Sequence, residues 1–123
     1  MTIDANIIIA YLGNDQTVIT TLSQWREEGR ALFLSTVAET EVLSFSQWTT
    51  EEQRAVEDFL VDNFTSIIFD RTLARIAADI RRTAKLKFSD AAIAATALAT
   101  QTPVVTRNQR DFKRVSNLKI VTI

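Results

Sequence analysis

FSDAAIAATALATQTPVVTRNQRD, residues 88 to 111, decides the fold. Its first half reads as an apolar helix capped by Ser89, with Asp90 at the first helical position, where unpaired N–H groups favour a negative charge. Ile93, Ala94, Ala97 and Leu98 continue the face of Asp90, while Ala91, Ala92 and Ala95 keep the remainder small. A helix apolar on nearly every side is built to be buried. Pro103 ends it, Val104 to Thr106 read as a short buried strand, and a polar run from Arg107 to Asp111 leaves that strand's C-terminal end. In an α/β chain, carboxylates at strand ends stand where sites usually form.

Working outward, the same alternation of strand and helix recurs. Residues 1 to 4 make a minimal strand, and Asp4 stands where it passes into IIIAYL, a short buried helix ended by Gly13 and Asn14. A second helix runs from about Gln16 to Glu28, and ALFLS (31 to 35) is a second strand. In TVAETEVLSFSQW (36 to 48), Thr36 and Glu39 have the spacing of a capping box opening a third helix. Glu41 shares a face with Val37, Ala38, Ser44 and Phe45, whereas Glu39 points roughly 200° away around the axis. Glu41 thus points inward, where a carboxylate is costly unless paired or holding a metal. A fourth helix starts at Thr50 with Gln53 completing a second capping box, and TSIIF (65 to 69) has the β-branched content of a central strand. Asp70 caps a long helix over 71 to 86, and LKIVTI (118 to 123) is a last strand. The expected architecture is one α/β domain over residues 1 to 123, a parallel sheet covered by helices on both faces.

Composition limits what such a domain can do. At 123 residues it can bury roughly two thirds of its unfolded surface without a staple. Two Gly and one Pro leave no room for a flexible linker. IIIAYL is too short for a signal-peptide core or a membrane span, so a cytoplasmic protein with no membrane association is expected. The absence of Cys and His excludes disulfides, thiolate nucleophiles, zinc fingers and every Ser/His or Cys/His catalytic arrangement. A carboxylate site remains possible, and carboxylates select hard cations such as Mg²⁺ and Mn²⁺. A net charge of −1 argues against nucleic-acid binding by bulk charge, although basic residues cluster over 75 to 87 and 106 to 114.

Asp4, Glu41, Asp90 and Asp111 each follow a strand or sit in the first turns of the next helix, which in a parallel sheet is one edge. Four carboxylates gathered there would repel one another and have raised pKa values unless divalent cations neutralised them. Ions held there could activate water for phosphodiester cleavage without His or Cys. Each residue also has a plainer reading: Asp4 and Asp90 as helix-terminal charges, Asp111 as a turn residue. Asp70 fits the same description, and spacing alone does not rank it below the others. Ser35 and Thr106 could orient ligands or satisfy backbone groups. Trp25, Trp48 and Tyr11 read as core or interface residues rather than base-stacking platforms.

Taken in order, DANIIIAYL (4 to 12), LSTVAETEVLSF (34 to 45), FSDAAIAATAL (88 to 98) and VVTRNQRDFKRV (104 to 115) resemble the PIN-domain ribonucleases, in particular the VapC toxins of toxin–antitoxin pairs. The resemblance covers nearly the whole chain. It implies a Rossmann-like sheet of order 3-2-1-4-5 and an acidic cluster of Asp4, Glu41, Asp90 and Asp111 holding Mg²⁺ or Mn²⁺. Asn6 and Asn108 match polar positions lining such a site, with Ser35 and Thr106 in support; Asn108 could act in place of, or with, Asp111. Asp70 becomes a helix cap outside the cluster. Ala38 stands where many relatives have Thr, yet no departure from the family pattern removes an acidic ligand.

The function expected is a metal-dependent endoribonuclease that hydrolyses RNA with a metal-activated water, partnered by an antitoxin and commonly a homodimer. Arg107, Arg110, Lys85 and Lys87 are the candidates for gripping RNA phosphates. The alternatives are a PIN-like scaffold that no longer cleaves, or a Mg²⁺-dependent phosphohydrolase using Asp4 as nucleophile.

Overall fold

A computed structural model describes residues 1–44 and 47–123. Five short strands, β1 (Thr2–Ile3), β2 (Phe33–Ser35), β3 (Thr65–Ile67), β4 (Val104–Val105) and β5 (Ile120–Val121), form one sheet in the order β3-β2-β1-β4-β5. Every pairing is parallel, with Thr2 beside both Phe33 and Val104, Leu34 beside Ser66, and Val105 beside Val121. All strand C-termini therefore reach the same edge. The order reverses between β1 and β4, the switch point at which parallel sheets open a crevice. The α/β class, the parallel sheet and its order agree with the sequence reading.

The helices are α1 (Ala5–Leu12), α2 (Gln16–Glu27), α3 (Thr36–Leu43), α4 (Thr50–Asn63), α5 (Arg71–Ala84), α6 (Phe88–Thr100) and α7 (Gln109–Phe112). They cover both faces of the sheet, as a parallel sheet requires. Helix α6 is the centre of the packing: Asp90 through Ala97 are all buried, and α6 touches α5, α3, α7, β1, β2 and β4. Its alanines are what let so many elements approach one helix. Around it Ile3, Ile7, Ile8, Leu34, Val42, Ile93, Val104, Val105 and Phe112 are fully or almost fully enclosed. Tyr11 stacks on Phe59 at 4.7 Å and Trp25 and Trp48 pack against the core, in line with their expected structural roles.

Several local expectations are corrected. Helix α6 begins two residues early, with Lys87 as its cap and Asp90 in its third position, so Ser89 is not the cap. Phe88, the first residue of that extension, stands edge-on against Phe69 at 5.6 Å, a tertiary contact that a local reading of Ser89 omits. Helix α3 is capped by Ser35, whose hydroxyl accepts from the Val37 N–H. Thr36 is therefore already helical, and its hydroxyl accepts instead from the Phe69 N–H at 3.1 Å. The Thr36–Glu39 capping box does not form, and α3 stops at Leu43, with Phe45 outside the described residues.

The second box exists one residue upstream: Thr49 accepts from the Glu52 N–H at 3.1 Å, and Glu52 accepts from the Thr49 N–H at 3.0 Å. Gln53 bonds Glu57 instead. Hence Thr49→Ala should cost about 1 kcal/mol in urea unfolding, whereas Thr50→Ala should change little. Finally, β3 is not central. It lies at the sheet edge with Thr65 and Ser66 exposed, so its β-branched residues face solvent and α-helical cover only in part.

Candidate active site

Asp4 follows β1 and occupies the N-cap position of α1, yet its side chain makes no cap hydrogen bond. Its Oδ2 accepts from the Thr106 hydroxyl at 2.6 Å, across the switch point between β1 and β4. The plain capping reading of Asp4 therefore fails. The residue is only 5% exposed, and burial is the main reason its carboxyl titrates above the usual range, with a smaller push from Glu41 against the lowering effect of Thr106.

Thr106 is the hub of a network. Its hydroxyl also meets the Asn6 side-chain amide at 3.3 Å and accepts from the Asn108 N–H at 2.9 Å. The Asn108 amide then reaches Asp111 Oδ2 at 2.9 Å and Asp90 Oδ2 at 3.3 Å. One amide thus bridges two carboxylates contributed by α6 and α7. Asp90, 4% exposed, also titrates high, through burial first and then the charges of Asp4 and Asp111, partly offset by Lys87. Glu41 reaches this group from α3, and its carboxylate accepts no hydrogen bond among the described residues. Burial raises its pKa, Lys87 opposes that, and Asp90 adds to it.

The four carboxylates therefore belong to one electrostatic group at the expected edge, but not equally. The expectation that all four titrate high fails for Asp111, which the Asn108 amide and the Arg114 guanidinium, 2.7 Å from its Oδ1, hold below the usual range. Asp70 lies outside the group as the cap of α5, accepting from the Leu73 N–H. Ser35 satisfies a backbone group. Among the described residues, no three acidic side chains stand close enough as placed to enclose a metal ion.

The donor set nevertheless suits one. It offers carboxylate and amide oxygens, the chemistry hard cations select, and three carboxylates whose ionisation is opposed by burial and by one another. The sign of the pH effect follows. Asp4, Glu41 and Asp90 hold their protons more tightly folded than unfolded, so this contribution to stability falls as pH rises from the ordinary carboxylate range through their raised values. Without divalent ions, the protein should therefore gain stability from this group as pH is lowered from neutral to the ordinary carboxylate range, and Mn²⁺ should stabilise it more at the higher pH. Thermal melts at both ends of that range, with and without Mn²⁺, check this.

The basic candidates separate. Lys87 is the cation that Asp4, Glu41 and Asp90 all sense. Arg110 and Arg114 line a polar hollow of about 590 Å³ with Asn108 and Asp111. Lys85, in the left-handed conformation that ends α5, lines a different hollow with Arg81 and Arg82. The guanidinium of Arg107 turns away to Asp15 at 2.7 Å and to the Ile123 carbonyl at 3.0 Å. Asp15 was missed by sequence reasoning, because locally it reads only as the cap of α2, and nothing near it signals a partner at position 107.

A family model described as PIN domain matches residues 1–118. The chain belongs to the PIN-domain family. Among solved structures, this PIN domain is similar to VapBC2 from Rickettsia felis bound to a promoter DNA fragment, at 20% identity over 99% of this chain and 97% of that one, with a TM-score of 0.84. It is similar to a toxin–antitoxin complex from Klebsiella pneumoniae at 25% identity, over 98% and 95% of the two chains, with a TM-score of 0.80. VapBC-1 from nontypeable Haemophilus influenzae matches at 18% identity, over 98% and 96%, with a TM-score of 0.82. No curated protein sequence matches significantly. The PIN-domain resemblance carried by the four motifs is borne out by the family model, and these structures share its fold. No helix among the described residues is long and apolar enough to cross a membrane.

Proposed function

We propose that this PIN domain is a metal-dependent endoribonuclease, the toxin of a toxin–antitoxin pair. The observation that carries the chemistry is the set of three high-titrating carboxylates at the switch point, Asp4 and Asp90 tied into one hydrogen-bond network through Thr106 and Asn108 and Glu41 joined to them electrostatically. Asp4, Glu41, Asp90 and Asp111 would hold Mg²⁺ or Mn²⁺. When bound, such an ion supplies a water acidic enough to attack a phosphodiester and offsets the charge that develops on phosphorus oxygens.

The protein's own part is to hold and aim. Thr106 fixes Asp4 by donating its hydroxyl proton to Oδ2, and Asn108 holds Asp90 and Asp111 at a set separation. Lys87 lies within electrostatic reach of the carboxylates, and Arg110 and Arg114 flank the adjoining hollow, where RNA phosphates would meet positive charge. Arg107, being engaged internally, is a weaker phosphate contact than its sequence position suggests. A phosphohydrolase with Asp4 as nucleophile is disfavoured, since that carboxylate is buried and its Oδ2 already accepts a short hydrogen bond.

An antitoxin partner is supported by the solved relatives, which are toxin–antitoxin complexes. Exposed apolar groups, Val61 at 75% and Ile68 at 72%, are compatible with contact to an antitoxin or to a second copy in a homodimer. The cytoplasm is the compartment where such a toxin meets RNA.

The test combines Mn²⁺ calorimetry on purified protein with cleavage of a mixed RNA pool, with and without EDTA. Saturable Mn²⁺ binding together with EDTA-sensitive cleavage is expected. Absence of both would sink the nuclease reading and leave the scaffold alternative.

A further inference from the structure

The TRN segment at 106 to 108 has an asymmetry. Thr106 and Asn108 turn toward the carboxylates, while the Arg107 side chain between them leaves in another direction. Its Nη2 donates to Asp15 Oδ2 at 2.7 Å and its Nε to the Ile123 carbonyl, and its backbone N–H donates to Asn6 Oδ1 at 3.3 Å. Asp15 is itself anchored, because its Oδ1 accepts from the Val18 N–H at the start of α2.

The segment needs an outside tie. Helix α7 is four residues long, too short to be stable alone, and Asn108 at its start makes no side-chain cap hydrogen bond. The side chain of Asn108 is committed to Asp90 and Asp111 instead. The geometry points to the Asp15–Arg107 ion pair as a positioning latch that sets residues 106–108, and through them Asp4, Asp90 and Asp111, for binding a divalent cation. This inference rests on the nuclease reading above.

A structural pair and a positioning pair differ in what they move. Arg107 and Asp15 are 42% and 30% exposed at the side chain, and ion pairs at such surfaces add little to folding stability. Groups that orient metal ligands at one remove change metal affinity far more than they change the fold. Asp15→Asn is the informative variant, since Asn is as good an N-cap as Asp and the change removes the charge while sparing the start of α2.

Mn²⁺ affinity would be measured by calorimetry on RNA-free wild type, Asp15→Asn, Arg107→Gln, Arg107→Lys and the Asp15→Asn/Arg107→Gln double variant, with metal-free melting temperatures for each. Asp15→Asn and Arg107→Gln should each weaken Mn²⁺ binding roughly 3- to 10-fold with little change in melting temperature. The double variant should be no weaker than the worse single, and Arg107→Lys should restore part of the loss. Unchanged Mn²⁺ affinity in both single variants overturns the latch. An Arg107→Gln variant that loses only RNA affinity overturns it in favour of direct phosphate contact. Wild type without saturable Mn²⁺ binding overturns the underlying reading and the latch together.

Discussion

Asp90→Asn should abolish the proposed cleavage without unfolding the protein: RNA turnover in Mn²⁺ should fall at least about 100-fold, in the range seen when one key electrostatic group is removed from a catalytic site. The amide keeps the shape of the carboxylate and loses its charge. Asp90 is buried on α6 beside Asp4 and Asp111, so its ionised form is opposed by desolvation and by like charge. Removing that charge relieves repulsion in the metal-free protein, and the melting temperature should hold or rise, the usual trade between stability and function at a site. Cleavage assays and thermal melts on the same preparation measure both. Undiminished turnover in the variant would remove Asp90 from the site. Asp111→Asn should be milder, because Asp111 already has Asn108 and Arg114 as partners and titrates low.

Phe112→Ala should lower stability by about 3 to 5 kcal/mol, read as a shift in the urea midpoint. Phe112 is fully enclosed and ends α7, the helix that carries Asp111. Domains of this kind are stable by about 5 to 15 kcal/mol, so the loss is a large fraction of the whole. Because α7 has a single turn of its own, Phe112 is also its anchor, and Mn²⁺ affinity should fall in the fraction that remains folded. Phe112→Leu retains most of the volume and should cost about 1.5 kcal/mol or less. Equal midpoints for wild type and Phe112→Ala would contradict the placement of this ring in the core.

Much of this molecule was legible from residues alone. The small, apolar sequence of α6 required burial on all sides, because only alanines allow six other elements to pack against one helix. Alternation of strands and helices required a parallel sheet, and a parallel sheet brings every strand C-terminus to one edge, so the candidate carboxylates had to share it. The absence of His and Cys confined any chemistry there to carboxylates and hard cations.

Tertiary structure decided the rest, for one physical reason: a polar side chain takes the partner that folding brings to it, not the one nearest in sequence. Thr36 gave up its expected capping box for the Phe69 N–H, and α6 starts two residues early at Phe88, which packs against Phe69. Asp4 took the hydroxyl of Thr106, 102 residues away, instead of capping its own helix. Arg107 paired with Asp15 across 92 residues. Asp111 was separated from the other three carboxylates by neighbours that hold its proton off, a distinction set by Asn108 and Arg114 in space. Local spacing names the groups that can do chemistry, and the folded chain determines which of them are buried, bridged or held apart.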